Sequence, residues 1–135
     1  MTIDDSAARS VVVIGVASSP YHELQECPPG PQRDGPEVRI SVEPEFRDGL
    51  RGLGRHEAVD VLMWFDRAGD YELVQTSRTH PEWGPMGVFG LRSPHRPTPI
   101  GVSTVELIRV EPDAIVVRGL DCLDQTPIID IKPAL

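Results

Sequence analysis

The sequence predicts an all-β fold, a single compact β-barrel of about seven or eight short strands with little helix. Apolar stretches are short, rich in Val and Ile, and separated by turn residues. Gly and Pro number 12 and 14 among 135 residues, close to one in five, and helices tolerate neither well. Some of the apolar stretches alternate with polar residues at the two-residue period of a strand. The length suits one domain with a single core. We expect a flexible N-terminus over residues 1–9 and a barrel domain over residues 10–135, with no internal repeat or second boundary.

The elements are expected in this order. Val11 to Ala17 (VVVIGVA) is a continuous apolar run suited to a buried strand. Pro20 to Pro36, dense in Pro and Gly, reads as an ordered surface loop. Val38, Ile40 and Val42 alternate with Arg39, Ser41 and Glu43, the pattern of a strand with one wet face. Glu45 to Gly54 forms one short helical turn, weakened by Gly49, Gly52 and Gly54. Ala58 to Phe65 is a strand, Arg67 to Asp70 a turn, and Tyr71 to Ser77 the returning strand of a hairpin. A loop from Thr79 to Pro85, the segment Met86 to Leu91 and a proline-spaced loop from Ser93 to Pro99 follow. Val102 to Val110 and Ala114 to Leu120 are strands joined by a tight turn at Glu111 to Asp113, and Pro127 to Ile131 is a last short strand.

Charge and targeting signals narrow the function. Thirteen Lys and Arg against 21 Asp and Glu leave a formal charge of −8. That argues against broad, sequence-independent nucleic-acid binding, which needs a basic face to displace counterions from phosphates. The opening MTIDDSAARS is acidic and has neither the positive region nor the apolar run of a signal peptide. No stretch approaches the roughly 18 apolar residues of a membrane span, so a cytoplasmic location is expected and no membrane partner. Cys27 and Cys122 show no paired spacing and read as reduced thiols. Gly52-Leu53-Gly54 is the nearest approach to a dinucleotide loop, with no strand before it and no periodic helix after it. GxxxxGK[ST], HExxH and a nucleophile elbow are absent, and His22, His56, His80 and His95 lack metal-ligand spacing, so no metal is expected.

Two segments carry chemistry. Gly87 to Gly101 (GVFGLRSPHRPTPIG) holds Arg92, His95 and Arg96 in a stretch free of acids. From Leu73 to Val105 there are three Arg against one Glu, so the rest of the chain carries −10. Pro94, Pro97 and Pro99 stiffen this cationic loop, which lowers the ordering cost of presenting a guanidinium to a carboxylate or phosphate. Bidentate hydrogen bonds suit guanidinium to those anions; pairing with the chain's own acids is the alternative. In Gly119 to Pro133, Asp121, Asp124, Thr126 and Asp130 gather carboxylates and a hydroxyl around a turn, as a ribose diol or amino group would require; ordinary turn roles are the alternative.

These same residues carry a resemblance. Met86 to Phe89, the run Arg92-Ser93-Pro94-His95-Arg96-Pro97-Thr98-Pro99-Ile100-Gly101, then Asp124-Gln125-Thr126-Pro127 and Asp130-Ile131-Lys132-Pro133 resemble the TsaA/TrmO (YaeB-like) family. Ile14-Gly15-Val16, Ser19-Pro20-Tyr21 and Trp64 to Ala68 agree with its opening strand, first loop and central strand, so the likeness runs from about Val11 to Pro133.

The resemblance implies an S-adenosylmethionine-dependent methyltransferase barrel, working as a homodimer with cofactor near the subunit interface. Its best-known reaction methylates the base nitrogen of threonylcarbamoyladenosine beside the tRNA anticodon. Position by position it implies cofactor contacts at Pro31, Gln32, Asp66, Arg67, Arg92, Val102, Asp124, Gln125 and Thr126. Arg96 and Lys132 fall to the substrate side, and no catalytic residue is assigned, although Asp124 or His95 could assist proton removal. Gln125 stands where the family usually has Gly, at a turn wanting positive φ. His95 stands where Phe is frequent, and Pro31 where Arg is expected. Longer members carry an additional C-terminal domain, so tRNA engagement here is expected to be weak, salt-sensitive and assisted. A cofactor-binding module, or a methyltransferase acting on a non-tRNA small molecule, is the alternative.

Overall fold

The computed structural model describes residues 5–135. The first four residues of the expected flexible N-terminus, 1–9, lie outside the described residues; Asp5–Ala7 make a 3-10 turn. Eight strands follow: β1 (Gly15–Ser18), β2 (Glu37–Val42), β3 (Ala58–Trp64), β4 (Val74–Thr76), β5 (Pro85–Gly87), β6 (Ile100–Glu111), β7 (Ala114–Arg118) and β8 (Pro127–Pro133). Six close into a barrel in the order β1-β2-β7-β6-β3-β8, and β4 with β5 forms a separate two-stranded ribbon. Helix among the described residues is confined to 3-10 turns, the longest being Pro44–Leu50. Eight strands agree with the all-β expectation, with six of them in the barrel itself.

The barrel interior is built by alternation. Val38, Ile40 and Val42 of β2, Val59, Val61 and Met63 of β3, Val105 and Leu107 of β6, and Ile115, Val117 and Ile128 point inward and are buried together. Each such side chain contributes about 1.5–3 kcal/mol by leaving water. Closure by β8 removes every edge from the main sheet, because β8 pairs with β3 on one side and β1 on the other.

Two expectations are corrected. Val11 to Val13 are not part of a buried strand: they are 44–60% exposed, and β1 begins only at Gly15. The ladder ends at Ile14, whose N–H bonds the Ile128 carbonyl and whose own carbonyl accepts from Glu43. Tyr71 to Ser77 does not return along β3, because both edges of β3 are occupied by β6 and β8. Only Val74–Thr76 is extended, and it pairs antiparallel with Pro85–Gly87 instead. Local patterning identifies a strand but not its neighbour, since pairing is decided by distant segments competing for each edge.

Candidate functional site

A cleft of about 360 Å³ opens where β3 runs out and β6 begins. Its volume lies within the range of small-molecule sites. Four loops wall it: Cys27 to Pro29 after β1, Phe65 to Ala68 after β3, Leu91 to His95 before β6, and Asp121 to Leu123 after β7. The fifth wall, Gln75 to Thr79, comes from the end of β4 and the loop beyond it.

The proline-spaced loop is held by its own hydrogen bonds. Arg96 donates from Nη1 to the carbonyls of Leu91 (2.8 Å) and Ser93 (3.2 Å), so its guanidinium closes the loop from behind. Ser93 Oγ accepts the His95 N–H at 3.1 Å, and Gln75 Nε2 donates to the His95 carbonyl at 2.7 Å, tying the loop to β4. Arg92 uses Nη1 on the Val102 carbonyl at 2.9 Å and presents an exposed guanidinium to the cleft. Phe65 forms the floor, its N–H bonded to the Pro99 carbonyl at 2.8 Å. Its ring lies against Gly101, where a Cβ would come within 2.2 Å of the ring. Gly101 is therefore the residue that lets Phe65 lie flat.

Asp121 is the least solvated acid in the cleft. It accepts the Ser103 hydroxyl at 2.7 Å, yet burial pushes its carboxyl above the ordinary carboxylate range, with that hydrogen bond and Arg92 opposing. A folded protein that holds this proton more tightly than the unfolded chain loses stability as pH rises above about 4. Asn can still accept from Ser103 without carrying charge. Asp121→Asn is therefore expected to raise Tm at neutral pH and to remove that part of the pH dependence. Melts across the acid range check it, and an unchanged or lower neutral Tm would contradict it.

Asp124 behaves oppositely. The Ser19 N–H (3.0 Å) is the main influence lowering its pKa, helped by the Gln125 side chain at 3.2 Å and by His22 at 3.8 Å. Burial raises both thiols beside the cleft, Cys122 to about 12, so neither is a thiolate nucleophile near neutral pH. Among the described residues no group of three or more His, Cys, Asp or Glu is placed to hold a metal ion.

Residues 16–135 match the family model described as the tRNA-methyltransferase O N-terminal domain. The chain belongs to the TrmO N-terminal domain family. Similar proteins include a probable S-adenosyl-L-methionine-binding protein of Archaeoglobus fulgidus, 41% identical over 124 residues, covering 89% of this chain and 32% of that protein. The probable S-adenosyl-L-methionine-binding protein VirR of Rhizobium radiobacter is 31% identical over 133 residues, covering 98% of this chain and 75% of its own length. Among solved structures, the crystal structure of TrmO from P. aeruginosa superposes with a TM-score of 0.76 at 30% identity, covering 95% of this chain and 55% of that one. The chain thus spans about a third of the A. fulgidus relative and just over half of the TrmO chain.

In this TrmO-family domain, the cleft gathers four of the residues expected at the cofactor: Asp66, Arg67, Arg92 and Thr126. Thr126 is buried and its hydroxyl already donates to the Leu123 carbonyl at 2.6 Å. Pro31, Gln32, Val102, Asp124 and Gln125 do not line the cleft. Val102 nonetheless holds Arg92 through its carbonyl, and Asp124 anchors Ser19. Gln32 is bonded through its N–H to the Gly119 carbonyl at 2.9 Å. Gln125 has φ of 67°, so this turn takes a left-handed shape with a side chain where the resemblance implies Gly. Arg96 lies behind its loop, and Lys132 is paired with Asp130 at 3.2 Å. Lys132 sits opposite Asp60 on β3, five residues from Phe65 and roughly 16 Å along the strand. Asp121, noted in the sequence only as one of several turn carboxylates, is the acid the cleft encloses. Arg78 and Ser77 also line it, and no local signal marks them.

Proposed function

We propose that this chain binds S-adenosylmethionine in the cleft and methylates the base nitrogen of threonylcarbamoyladenosine beside the tRNA anticodon, working as a homodimer in the cytoplasm. The observation that carries the reading is Arg92 and Asp121 facing one apolar-floored cleft of about 360 Å³ in a TrmO-family domain. The residues present suit the cofactor's parts. Arg92 keeps guanidinium N–H groups free for a carboxylate. Asp66 and Asp121 offer acceptors for a ribose diol and negative charge near a cationic sulfur. Phe65, Leu24 and Leu91 give an apolar surface for adenine and limit water. When bound, the cofactor supplies a sulfonium methyl group for in-line displacement, so the protein's main contribution is positioning. Among the described residues no helix is long and apolar enough to cross a membrane.

The relatives' names speak of S-adenosyl-L-methionine binding, and this chain's charge is −8, which favours a second reading as a cofactor-binding module or a small-molecule methyltransferase. Calorimetry with S-adenosylmethionine and mass spectrometry of tRNA nucleosides from a deletion strain separate them. The leading reading expects binding and a loss of methylated threonylcarbamoyladenosine in the deletion. Binding with an unchanged nucleoside ratio would leave the second reading. No binding at millimolar cofactor would defeat both.

A further inference from the structure

We infer that the β4–β5 ribbon is the RNA-contacting arm of the site, with Arg78 taking a backbone phosphate and Trp83 stacking on a base of the anticodon loop. This rests on the tRNA reading above. The loop joining β4 to β5 leaves the cleft at Ser77 to Thr79 and carries Pro81–Trp83 in a 3-10 turn. Arg67 and Arg78 both line the cleft, and neither makes a hydrogen bond or ion pair to a described residue. With Arg92 they give three cations against Asp66 and Asp121, in a chain whose overall charge is −8. One guanidinium satisfies a cofactor carboxylate, and Arg78, with no hydrogen-bond or ion-pair partner among the described residues, is left to meet a second anion.

Two residues beyond Arg78, the rings of His80 and Trp83 stack with centroids 4.1 Å apart and planes 10° from parallel. Glu82 accepts from His80 Nδ1 at 2.9 Å and the His80 N–H bonds Ser77 Oγ at 3.0 Å, so the His ring is held in place. Trp83 is left 52% exposed, unusual for a side chain of its size. An exposed cation beside a pre-stacked aromatic suits single-stranded RNA, phosphate on the cation and base on the ring. An anticodon loop presents both. The exposed Val74 on the ribbon, with Leu73 just before it and Phe89 in the 3-10 turn after it, would equally suit contact between two copies of the chain, and the test separates the two.

The experiment titrates the full chain into a labelled anticodon stem-loop RNA bearing threonylcarbamoyladenosine, followed by fluorescence anisotropy at several salt concentrations. Arg78→Ala is expected to weaken binding several-fold and to lower the slope of log affinity against log salt by about one. Trp83→Ala is expected to cost about tenfold, and Trp83→Phe to retain most of the affinity. S-adenosylmethionine affinity by calorimetry should stay unchanged in both Trp83 variants, since Trp83 lies outside the cleft, and Arg78→Ala should lower RNA affinity by a larger factor than cofactor affinity. The inference is overturned if wild type binds the RNA and both alanine variants bind it equally well. It is also overturned if either variant lowers the molecular mass seen by light scattering, which would make the ribbon an interface between copies. A wild type that binds cofactor but no RNA overturns this inference together with the tRNA reading.

Discussion

Gly119→Ala is expected to be the most damaging single substitution near the site, lowering Tm by roughly 10–20 °C and abolishing cofactor binding. Gly119 has φ of 77°, and a Cβ there would lie 1.7 Å from the Gln32 carbonyl oxygen. A left-handed conformation costs an alanine about 1–2 kcal/mol by itself. The overlap is with backbone, which no rotamer change relieves, so the Gln32 loop must lift away. Two hydrogen bonds go with it, Gln32 N–H to the Gly119 carbonyl (2.9 Å) and Gly119 N–H to the Pro36 carbonyl (2.8 Å). At about 1 kcal/mol each, the total reaches about 3–4 kcal/mol against a typical stability of about 5–15 kcal/mol. The functional loss follows from position: Gly119 leads directly into Asp121 to Leu123, one wall of the cleft, and the displaced loop continues from another, Cys27 to Pro29. Thermal melting and cofactor calorimetry check it; a Tm within about 3 °C of wild type would show that the loop yields at little cost.

Arg92→Ala is expected to lower S-adenosylmethionine affinity about 10- to 100-fold while leaving the barrel folded. Hydrogen bonds to a charged group contribute about 1.5–3 kcal/mol, and about 1.4 kcal/mol is a factor of ten. The structural cost is small because Arg92 is exposed and its one internal bond goes to the Val102 carbonyl on β6, a strand already secured by β3 and β7. Arg92→Lys should recover part of the affinity through charge without the guanidinium fork. Unchanged affinity in Arg92→Ala would remove Arg92 from the cofactor's carboxylate, and a collapsed melt would make it structural. The outcome contrasts with Gly119→Ala, where fold and binding fall together.

What the sequence by itself determined is whatever depends on neighbours along the chain. The alternation of Val38, Ile40 and Val42 is a local period, and these residues are the buried face of β2. The β6–β7 hairpin was legible because its turn at Glu111 to Asp113 joins adjacent segments. The stiffness of the Arg92-to-Pro99 loop follows from its prolines, and positive φ at Gln125 followed from the turn its motif implies. Tertiary structure decided the rest, because pairing and burial depend on residues far apart in the chain. Only barrel closure by β8 denies the segment after β3 an edge, sending Val74–Thr76 to pair with Pro85–Gly87. Only tertiary burial raises the Asp121 pKa, against its hydrogen bond from Ser103, and so separates it from Asp124, three residues away, whose pKa moves the other way. Arg92, Arg96 and Lys132 show the same division: their charge was readable from the sequence, but which guanidinium faces the cleft, which braces its own loop and which cation stands at the opposite end of the strand is fixed by packing.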